Sequence, residues 1–186
     1  MRVTGGVARS IRLRSPTRPG VRPTMDRVRS ALFSILVPFG MDGAVVADFF
    51  AGTGSLGIEA LSRGAARADF VEADGRQCAD IHANLAATKL QDRATVHRMP
   101  VDRALRVLEG PYDFVLMDPP YAEPFPGDVV EQLEARHLLK PLGLVVVGHS
   151  SRVPSPERCG QLTRWAERRY GDSSLAFYAQ PEAEER

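Results

Sequence analysis

The sequence has few cysteines, almost no lysine and no long hydrophobic run. Cys78 and Cys159 are the only cysteines, no C-x-x-C pair occurs and no histidines stand at metal-ligand spacing, which argues against a disulfide framework and a zinc site. No apolar stretch approaches the roughly 18 to 20 residues that span a bilayer, and the N-terminus has no signal-type apolar segment. We therefore expect a cytoplasmic protein without a metal, and 186 residues with 44% apolar content fit one compact domain.

A net charge of +1 conceals a strong asymmetry along the chain. Residues 1–30 carry +7 and the remainder carries −6. The basic residues are almost all arginine, which suits bidentate phosphate contacts, with 22 arginines against Lys89 and Lys140. An arginine-rich segment on an acidic body is typical of a nucleic-acid phosphate surface, and the alternative is a solvated face. We predict phosphate contacts from Arg2, Arg9, Arg12, Arg14, Arg18, Arg22 and Arg27.

A carboxylate and two prolines follow the apolar run at 114–117. Asp118-Pro119-Pro120-Tyr121 makes a rigid bend at the end of a predicted strand, because proline fixes its own φ and restricts the residue before it. The bend can direct the Asp118 carboxylate and the Pro119 carbonyl toward one planar amino group, whose two hydrogens they would accept. Tyr121 would stack on the ring that carries the amine. The alternative is an ordinary loop in which Asp118 is a turn residue.

A glycine-rich turn follows the first predicted strand of the body. Residues 44–59 read as a buried strand, a turn that matches G-x-G-x-x-G and a helix start, and Glu72 ends the next apolar run. Asp48 at the strand end would repel the pyrophosphate of NAD but attract the ammonium of S-adenosylmethionine. Its alternative role is helix capping. We therefore predict S-adenosylmethionine, bound by Asp48, Ala51, Gly52, Thr53, Gly54 and the ribose-binding Glu72.

The two motifs, in this order and spacing, resemble the class I S-adenosylmethionine-dependent methyltransferases that modify exocyclic amines of bases. Residues 1–6, 22–33, 51–65 and 170–178 are more closely similar to the bacterial 16S ribosomal RNA (guanine(966)-N2)-methyltransferase family, RsmD. The resemblance covers nearly the whole chain. It implies methylation of a guanine N2 amine in 16S ribosomal RNA, free or within a small-subunit intermediate, by a protein that we expect to be a monomer. The catalytic residues that it implies are Asp118, Pro119, Pro120 and Tyr121.

Two positions depart from the family pattern. Many members carry Gly-Asp-Ala after the third strand, with an acidic residue that reads the adenine amino group, whereas this chain has Met99-Pro100-Val101-Asp102. Either Asp102 reads the adenine from a shifted position, or backbone groups around Val101 do so. Gly148 stands where the family commonly has a glutamate. That change would loosen the floor of the substrate pocket.

Alternating strand and helix patterns predict an α/β fold, Rossmann-like with a mostly parallel seven-stranded sheet. An antiparallel hairpin near the C-terminus closes one edge, and a short hairpin pairs 2–5 with 9–13 at the N-terminus. The chain divides into an arginine-rich arm and linker (1–22), a methyltransferase domain (23–180) and a flexible tail (181–186). The predicted elements are a helix from Thr24 to about Val37, strand 45–49, helix 55–63, strand 67–72, helix 76–89, strand 94–99, helix 101–108, strand 114–118, helix 127–139, strand 143–148 and the hairpin strands 163–170 and 175–179.

Topology supports the proposed site, since ligands bind beyond the carboxyl ends of the strands in such sheets. Asp48, Glu72, Met99 and Asp118 all fall at predicted strand ends. Three other functions share some of these features. They are an adenine-N6 or protein-glutamine methyltransferase with the same four-residue motif, a non-catalytic RNA-binding assembly factor, and a nicotinamide oxidoreductase, which Asp48 disfavours.

Overall fold

The computed structural model describes residues 1–15 and 24–181. Five α-helices and eight β-strands are present in these ranges, with two short 3₁₀ helices at Val37–Phe39 and Gln91–Arg93. The helices are α1 (Thr24–Leu36), α2 (Ser55–Ser62), α3 (Gly75–Thr88), α4 (Val101–Val107) and α5 (Gly127–Ala135). The strands are β1 (Val45–Phe49), β2 (Arg67–Glu72), β3 (Ala94–Arg98), β4 (Tyr112–Met117), β5 (Leu139–Ser150), β6 (Arg158–Cys159), β7 (Leu162–Tyr170) and β8 (Ser173–Ala179).

One sheet, in the order β3-β2-β1-β4-β5-β8-β7-β6, organises the chain. The strands from β3 to β5 are parallel, and β8, β7 and β6 extend the sheet by antiparallel pairing. The predicted class I methyltransferase fold with its C-terminal hairpin is confirmed. The sheet has eight strands and not seven, because residues 158–159 pair with the start of β7.

Apolar side chains fill both faces of the parallel strands. Val46, Leu116 and Val146 point into a cluster with α1, α2 and α3, whereas their neighbours Ala47 and Val115 point into a second cluster with α4 and α5. Successive side chains of a strand alternate between faces, so a strand covered on both sides must be apolar at nearly every position. The continuous apolar runs of β1 and β4 meet that requirement.

Two predicted boundaries were wrong around α5. The helix ends at Ala135 and not at 139, because His137 adopts a left-handed φ of 56° and turns the chain. β5 then begins at Leu139, four residues before its predicted start, in register with Tyr112. Pairing with β4 therefore decided a segment that local pattern assigned to the helix.

The predicted N-terminal hairpin is reduced to one antiparallel bridge between Arg2 and Arg12. Turns occupy the intervening residues, and Val3, Ala8 and Leu13 are buried in the same cluster as α1 and α2. These apolar side chains supply the packing that hairpin pairing alone would not. Residues 1–15 therefore share the core of the domain, a contact that the arginine-rich composition did not indicate. The predicted linker at 15–21, apart from Ser15, and nearly all of the predicted tail lie outside the described residues.

None of the described helices is long and apolar enough to cross a membrane. Within the described ranges, no three histidine, cysteine, aspartate or glutamate side chains group together so that they could hold a metal ion.

Candidate active site

Three carboxylates lie at the carboxyl-terminal edge of the parallel strands. Asp48 is near the end of β1, Glu72 is the last residue of β2, and Asp118 directly follows β4. β1 lies between β2 and β4, with Asp48 in register with Phe70 and Leu116. The structure thus brings together the carboxylates that the sequence placed at strand ends.

The turn after β1 is held by Glu72. Gly52 donates its N–H to Oε2 of Glu72 at 2.8 Å, and Oε1 accepts a second backbone N–H at 2.8 Å. Gly52 and Gly54 have φ angles of 57° and 78°, in the left-handed region that glycine adopts without strain. At Gly57 an added Cβ would stand 2.4 Å from the ring of Phe70, so α2 approaches β2 this closely only with glycine. The glycine pattern thus reflects two left-handed residues and one close contact.

Asp48 is buried beneath the same turn. Its Oδ2 accepts the N–H of Gly57, in the first turn of α2, at 2.8 Å. That is the helix-capping role named above as the alternative for Asp48. Burial raises the pKa of Asp48 well above its usual range, and the charges of Asp118 and Glu72 raise it further. A cation bound nearby would relieve this repulsion.

Asn84 of α3 ties the turn to the N-terminal segment. Its Nδ2 donates to the carbonyl of Thr53 at 2.9 Å, and its Oδ1 accepts the N–H of Arg14 at 2.7 Å. Ala51 at the start of the turn donates its N–H to the carbonyl of Val71 at 3.0 Å. Residues 51–54 are therefore anchored to both β2 and α3. No sequence motif pointed to Asn84, which is 1% exposed.

Asp118 differs from the other two carboxylates. Its side chain accepts no hydrogen bond from the described part of the chain, and burial raises its pKa to about 6. Pro119 is buried and Pro120 is exposed. Tyr121 is 44% exposed and donates its O–H to Oγ of Ser173 at 3.1 Å. Burial and the Asp118 charge raise the pKa of Tyr121, so the phenol stays neutral.

A cleft opens beside Asp118. Its walls come from α1, the start of α2 and the strands β4, β5 and β8. The lining residues are Val28, Arg29, Leu32, Ser55, Leu56, Leu116, Met117, Asp118, Tyr121, Val146, Gly148, Ser173 and Leu175. The wall is mostly apolar, and the negative charge within it belongs to Asp118.

Gly148 of β5 leaves the space that the Asp118 carboxylate occupies. An added Cβ would stand 2.8 Å from Oδ1 of Asp118 and 3.5 Å from the carbonyl oxygen of Met117. A side chain at position 148 would therefore have to move the carboxylate or the strand. The departure from the family pattern at this position gives Asp118 room within the cleft.

The segment after β3 reaches the same edge of the sheet. Met99 donates its N–H to the carbonyl of Glu72 at 3.1 Å, which sets the start of α4 beside β2. The side chain of Val101 is 7% exposed and packs in the second core cluster. Asp102 is exposed in the first turn of α4. Val101 can therefore offer a ligand mainly backbone groups, whereas Asp102 offers a carboxylate.

Most of the predicted phosphate-binding arginines are at the surface. Arg18 and Arg22 lie outside the described residues. The guanidinium of Arg2 donates to the carbonyl of Ser10 at 2.8 Å, and that of Arg14 lies 3.4 Å from Oδ1 of Asp80. The exposed members of the set are Arg2, Arg9, Arg12, Arg14 and Arg27.

Arg29, which adds to the positive charge of residues 1–30, is not part of that surface. Its Nε donates to Oε2 of Glu59 at 3.1 Å, and both side chains are almost fully buried. Glu59 also accepts from Arg63 and from the N–H of Thr4. The pair joins α1, α2 and the N-terminal segment at the wall of the cleft, which Arg29 lines. The signal for burial was positional, because Arg29 stands three residues before Leu32 on the apolar face of α1.

Comparisons with known proteins show the family of the chain. The family described as "Conserved hypothetical protein 95" matches residues 1–179. YlbH of Bacillus subtilis (strain 168) is 33% identical over 96% of this chain and 98% of its own length. Ribosomal RNA small subunit methyltransferase D of Escherichia coli (strain K12) is 37% identical over 79% of this chain and 73% of its own length. The solved structure of Escherichia coli yhhF covers 97% of both chains with 30% identity and a TM-score of 0.84. The chain belongs to the RsmD family of ribosomal RNA methyltransferases.

Proposed function

We propose that the protein transfers a methyl group from S-adenosylmethionine to the exocyclic N2 amine of a guanine in 16S ribosomal RNA, guanine(966)-N2. Family membership supports the reaction class and the RNA. The observation that carries the proposal is the Asp118 carboxylate, which faces a mostly apolar cleft without a hydrogen-bond partner in the described chain. Such a group is available to a substrate donor.

The turn at residues 51–54 fits this cofactor. Asp48, Glu72 and Asp118 concentrate negative charge at one edge of the sheet, which favours a cationic ligand over a pyrophosphate. We assign the ammonium to the surroundings of Asp48, the ribose hydroxyls to Glu72, and the adenine to the segment that contains Val101 and Asp102. When bound, S-adenosylmethionine supplies a methyl group already activated by its sulfonium.

Asp118 and the Pro119 carbonyl hold the acceptor amine in this mechanism. Each accepts one amine hydrogen, which frees the nitrogen lone pair and orients it. As positive charge develops on the nitrogen, the ionised Asp118 stabilises it within a dry site. Tyr121 supplies a ring against the base, and its bond to Ser173 fixes where that ring lies. Asp118 need not remove the proton, since the cationic amine loses it readily after transfer.

The substrate base must leave its helix to reach Asp118. The amine of a paired guanine is already engaged, so the cleft beside Asp118 would receive an unpaired base. Loop or unpaired RNA can present the base at little energetic cost. The exposed arginines of residues 1–15 and Arg27 would contact neighbouring phosphates. We expect a monomer that acts in the cytoplasm on 16S RNA or on a small-subunit intermediate.

Mass analysis of nucleosides from 16S RNA, after incubation with isotope-labelled S-adenosylmethionine, tests the proposal. The label should appear in N2-methylguanosine. Label in adenine N6 or in a protein glutamine would overturn it, as would no transfer to either free RNA or small subunits. Calorimetry on the same protein should show S-adenosylmethionine binding and no saturable binding of NAD at micromolar concentration.

A further inference from the structure

Two aromatic side chains form an exposed patch at the end of the sheet opposite β3. Trp165 of β7 is 43% exposed and Phe39 is 55% exposed. Their ring centroids lie 5.7 Å apart, and Trp165 also contacts the buried ring of Phe177 at 5.4 Å. Trp165 is the only tryptophan of the protein. Contiguous exposed aromatic surface of this kind is often an interaction site.

A β-bulge directs Trp165 to this face. The pairing of β7 with β8 shifts register between Arg164 and Ala166, so one extra residue lies on β7. Ala166 packs into the cluster that contains Phe177 and α1. In a regular strand the neighbour of Ala166 would point to the opposite face. The bulge instead places Trp165 and Ala166 on the same face, which is a known use of such irregularities.

The same face leads from Trp165 to the active-site cleft. Arg168 pairs with Leu175, and Tyr170 pairs with Ser173. Leu175 and Ser173 both line the cleft, and Ser173 holds Tyr121. Because side chains alternate along β7, Arg168 lies between Ala166 and Tyr170 on the cleft face.

We name the surface formed by Phe39, Trp165, Arg168 and Tyr170 the hairpin strip. From Trp165 to Tyr170 it runs for five residues of strand, about 17 Å. That is the length of about five nucleotides of one stacked strand.

Charged side chains lie on both faces of β7. Arg168 is exposed on the strip, and its Nη1 donates to a backbone carbonyl. Glu167 lies on the opposite face, with its carboxylate 3.2 Å from Nε2 of His149 and 3.4 Å from Nη1 of Arg164. Arg169 shares that opposite face, and its Nε also donates to a backbone carbonyl. The strip therefore combines aromatic rings with a cation, which is the composition of single-stranded nucleic-acid sites.

We propose that the hairpin strip binds single-stranded RNA next to the methylated guanine, with a base on Trp165 and a phosphate or base on Arg168. The proposal rests on the proposed function, since it assumes that the cleft holds a base of the same RNA. Continuity with the cleft favours RNA over a protein partner, because the strand that enters the cleft must pass over one of its rims.

Fluorescence of Trp165 tests the contact directly, because this chain has one tryptophan and the emission of the titrant alone is subtracted at each concentration. The wild-type protein is titrated with an unmodified 16S ribosomal RNA transcript and, separately, with small subunits that lack the methyl group. Quenching that saturates at the RNA concentration at which methyl transfer saturates is expected. An unchanged spectrum with the form of RNA that the protein methylates would overturn the proposal. If the transcript is methylated but only the small subunits quench the fluorescence, the strip contacts a protein of the subunit and not RNA.

Two matched variants measure how much the charge of Arg168 contributes to RNA binding. Arg168→Gln on the strip should raise the KM for RNA severalfold and lower the salt dependence of binding by about one ion. Arg169→Gln removes the same charge from the opposite face of the same strand, so it should change neither. Equal effects of the two variants would contradict the proposal.

Trp165→Leu keeps an apolar side chain against Phe177 and removes the ring. Binding of the RNA should weaken about fivefold or more, with kcat and cofactor affinity unchanged. Loss of cofactor affinity would show instead that the ring only supports the fold. Methyl transfer by the wild type separates the two proposals: if it fails, the proposed function fails, and if it succeeds while these variants behave as wild type, only the strip is wrong.

Discussion

Three carboxylates share one edge of the sheet but differ in their hydrogen bonding. Asp48 and Glu72 lie below the glycine turn, whereas Asp118 lies beside the cleft. Glu72 accepts two backbone N–H groups and Asp48 accepts one, each at 2.8 Å. Asp118 accepts none from the described chain, and burial raises its pKa to about 6. Partly burying a carboxylate without partners costs free energy, and a hydrogen-bond donor that bound there would compensate for that cost.

The difference fits the proposed division of the site into a cofactor half around residues 51–54 and an acceptor half at Asp118. In the proposed cofactor half, Glu72 and Asp48 already hold the turn through hydrogen bonds. In the proposed acceptor half, Asp118 accepts no hydrogen bond from the described chain. Groups arranged in advance around developing charge are the larger source of rate acceleration, and they are kept at some cost to stability.

Replacing Asp118 has the largest expected effect. Asp118→Ala removes the acceptor for the amine and should lower kcat about 10² to 10³-fold or more. The affinity for S-adenosylmethionine should stay within a few fold, because the turn is held by Glu72 and Asp48. Asp118→Asn should retain part of the activity through its carbonyl oxygen. Single-turnover methyl transfer and calorimetry measure the two effects, and near-normal turnover by the alanine variant would refute the mechanism.

Replacing Glu72 should lower cofactor affinity more than it lowers kcat. Glu72→Ala removes the carboxylate that accepts the Gly52 N–H and a second backbone N–H, so the turn loses both hydrogen bonds that tie it to the end of β2. We expect cofactor affinity to fall at least about tenfold and the melting temperature to drop. Glu109→Ala, an exposed carboxylate in the loop before β4, is the matched control. If the Glu72 variant bound S-adenosylmethionine with normal affinity but lost turnover, the assignment of Glu72 to the cofactor would be wrong.

In the N-terminal segment, the backbone makes the contacts that hold the fold, whereas the exposed arginine side chains are available to a ligand. Changing Arg9, Arg12 and Arg14 to Gln should weaken RNA binding roughly tenfold and flatten its salt dependence by up to about three ions. Cofactor affinity should barely change, because Asn84 contacts the backbone of Arg14. Filter binding over a salt series measures the effect. The exposed triple variant of Arg103, Arg106 and Arg136 is the charge-matched control, and an equal loss there would show that only net charge matters.

A methyl group added at position 148 tests whether activity depends on the position of the Asp118 carboxylate. Gly148→Ala places a Cβ 2.8 Å from Oδ1 of Asp118, so the carboxylate must move. We expect kcat to fall about fivefold, corresponding to about 1 kcal/mol, with cofactor affinity unchanged. An unaltered kcat would mean that the carboxylate does not need its present position.

The smallest effect concerns stability. The pKa of Asp118 is raised to about 6 in the folded protein, above an unfolded value of about 3.9. Its contribution to stability is therefore fully present below about pH 4 and is lost as the pH rises through about 6. Asp118→Asn should melt several degrees higher than wild type at pH 8 and at nearly the same temperature at pH 4. Calorimetric scans at both pH values test this.

The titration of Asp118 also predicts that kcat/KM decreases at acidic pH. In the wild type, kcat/KM should fall below about pH 6, because the neutral acid no longer stabilises positive charge on the amine. An Asp118→Asn enzyme should lack that decrease, and an identical decrease in both would assign it to another group.

Much of the site was predictable from local pattern. The strand ends at Asp48, Glu72 and Asp118 follow from apolar runs, and the glycine turn follows from the need for left-handed backbone at Gly52 and Gly54. Local pattern failed at 136–139, where pairing of β5 with β4 replaced the predicted helix. It also failed at residues 1–15, because arginine composition concealed three buried apolar side chains.

The sequence by itself determined the class of fold and the order in which the carboxylates line the edge of the sheet. Strand period, glycine conformation and proline restriction are local properties that each segment carries with it. Only the tertiary structure decided which carboxylates are satisfied, that Arg29 is buried against Glu59, and that a bulge turns Trp165 toward the cleft face. Burial, hydrogen-bond partners and pKa depend on residues that are distant in the chain, so they become fixed only when the sheet and α1 close around the site.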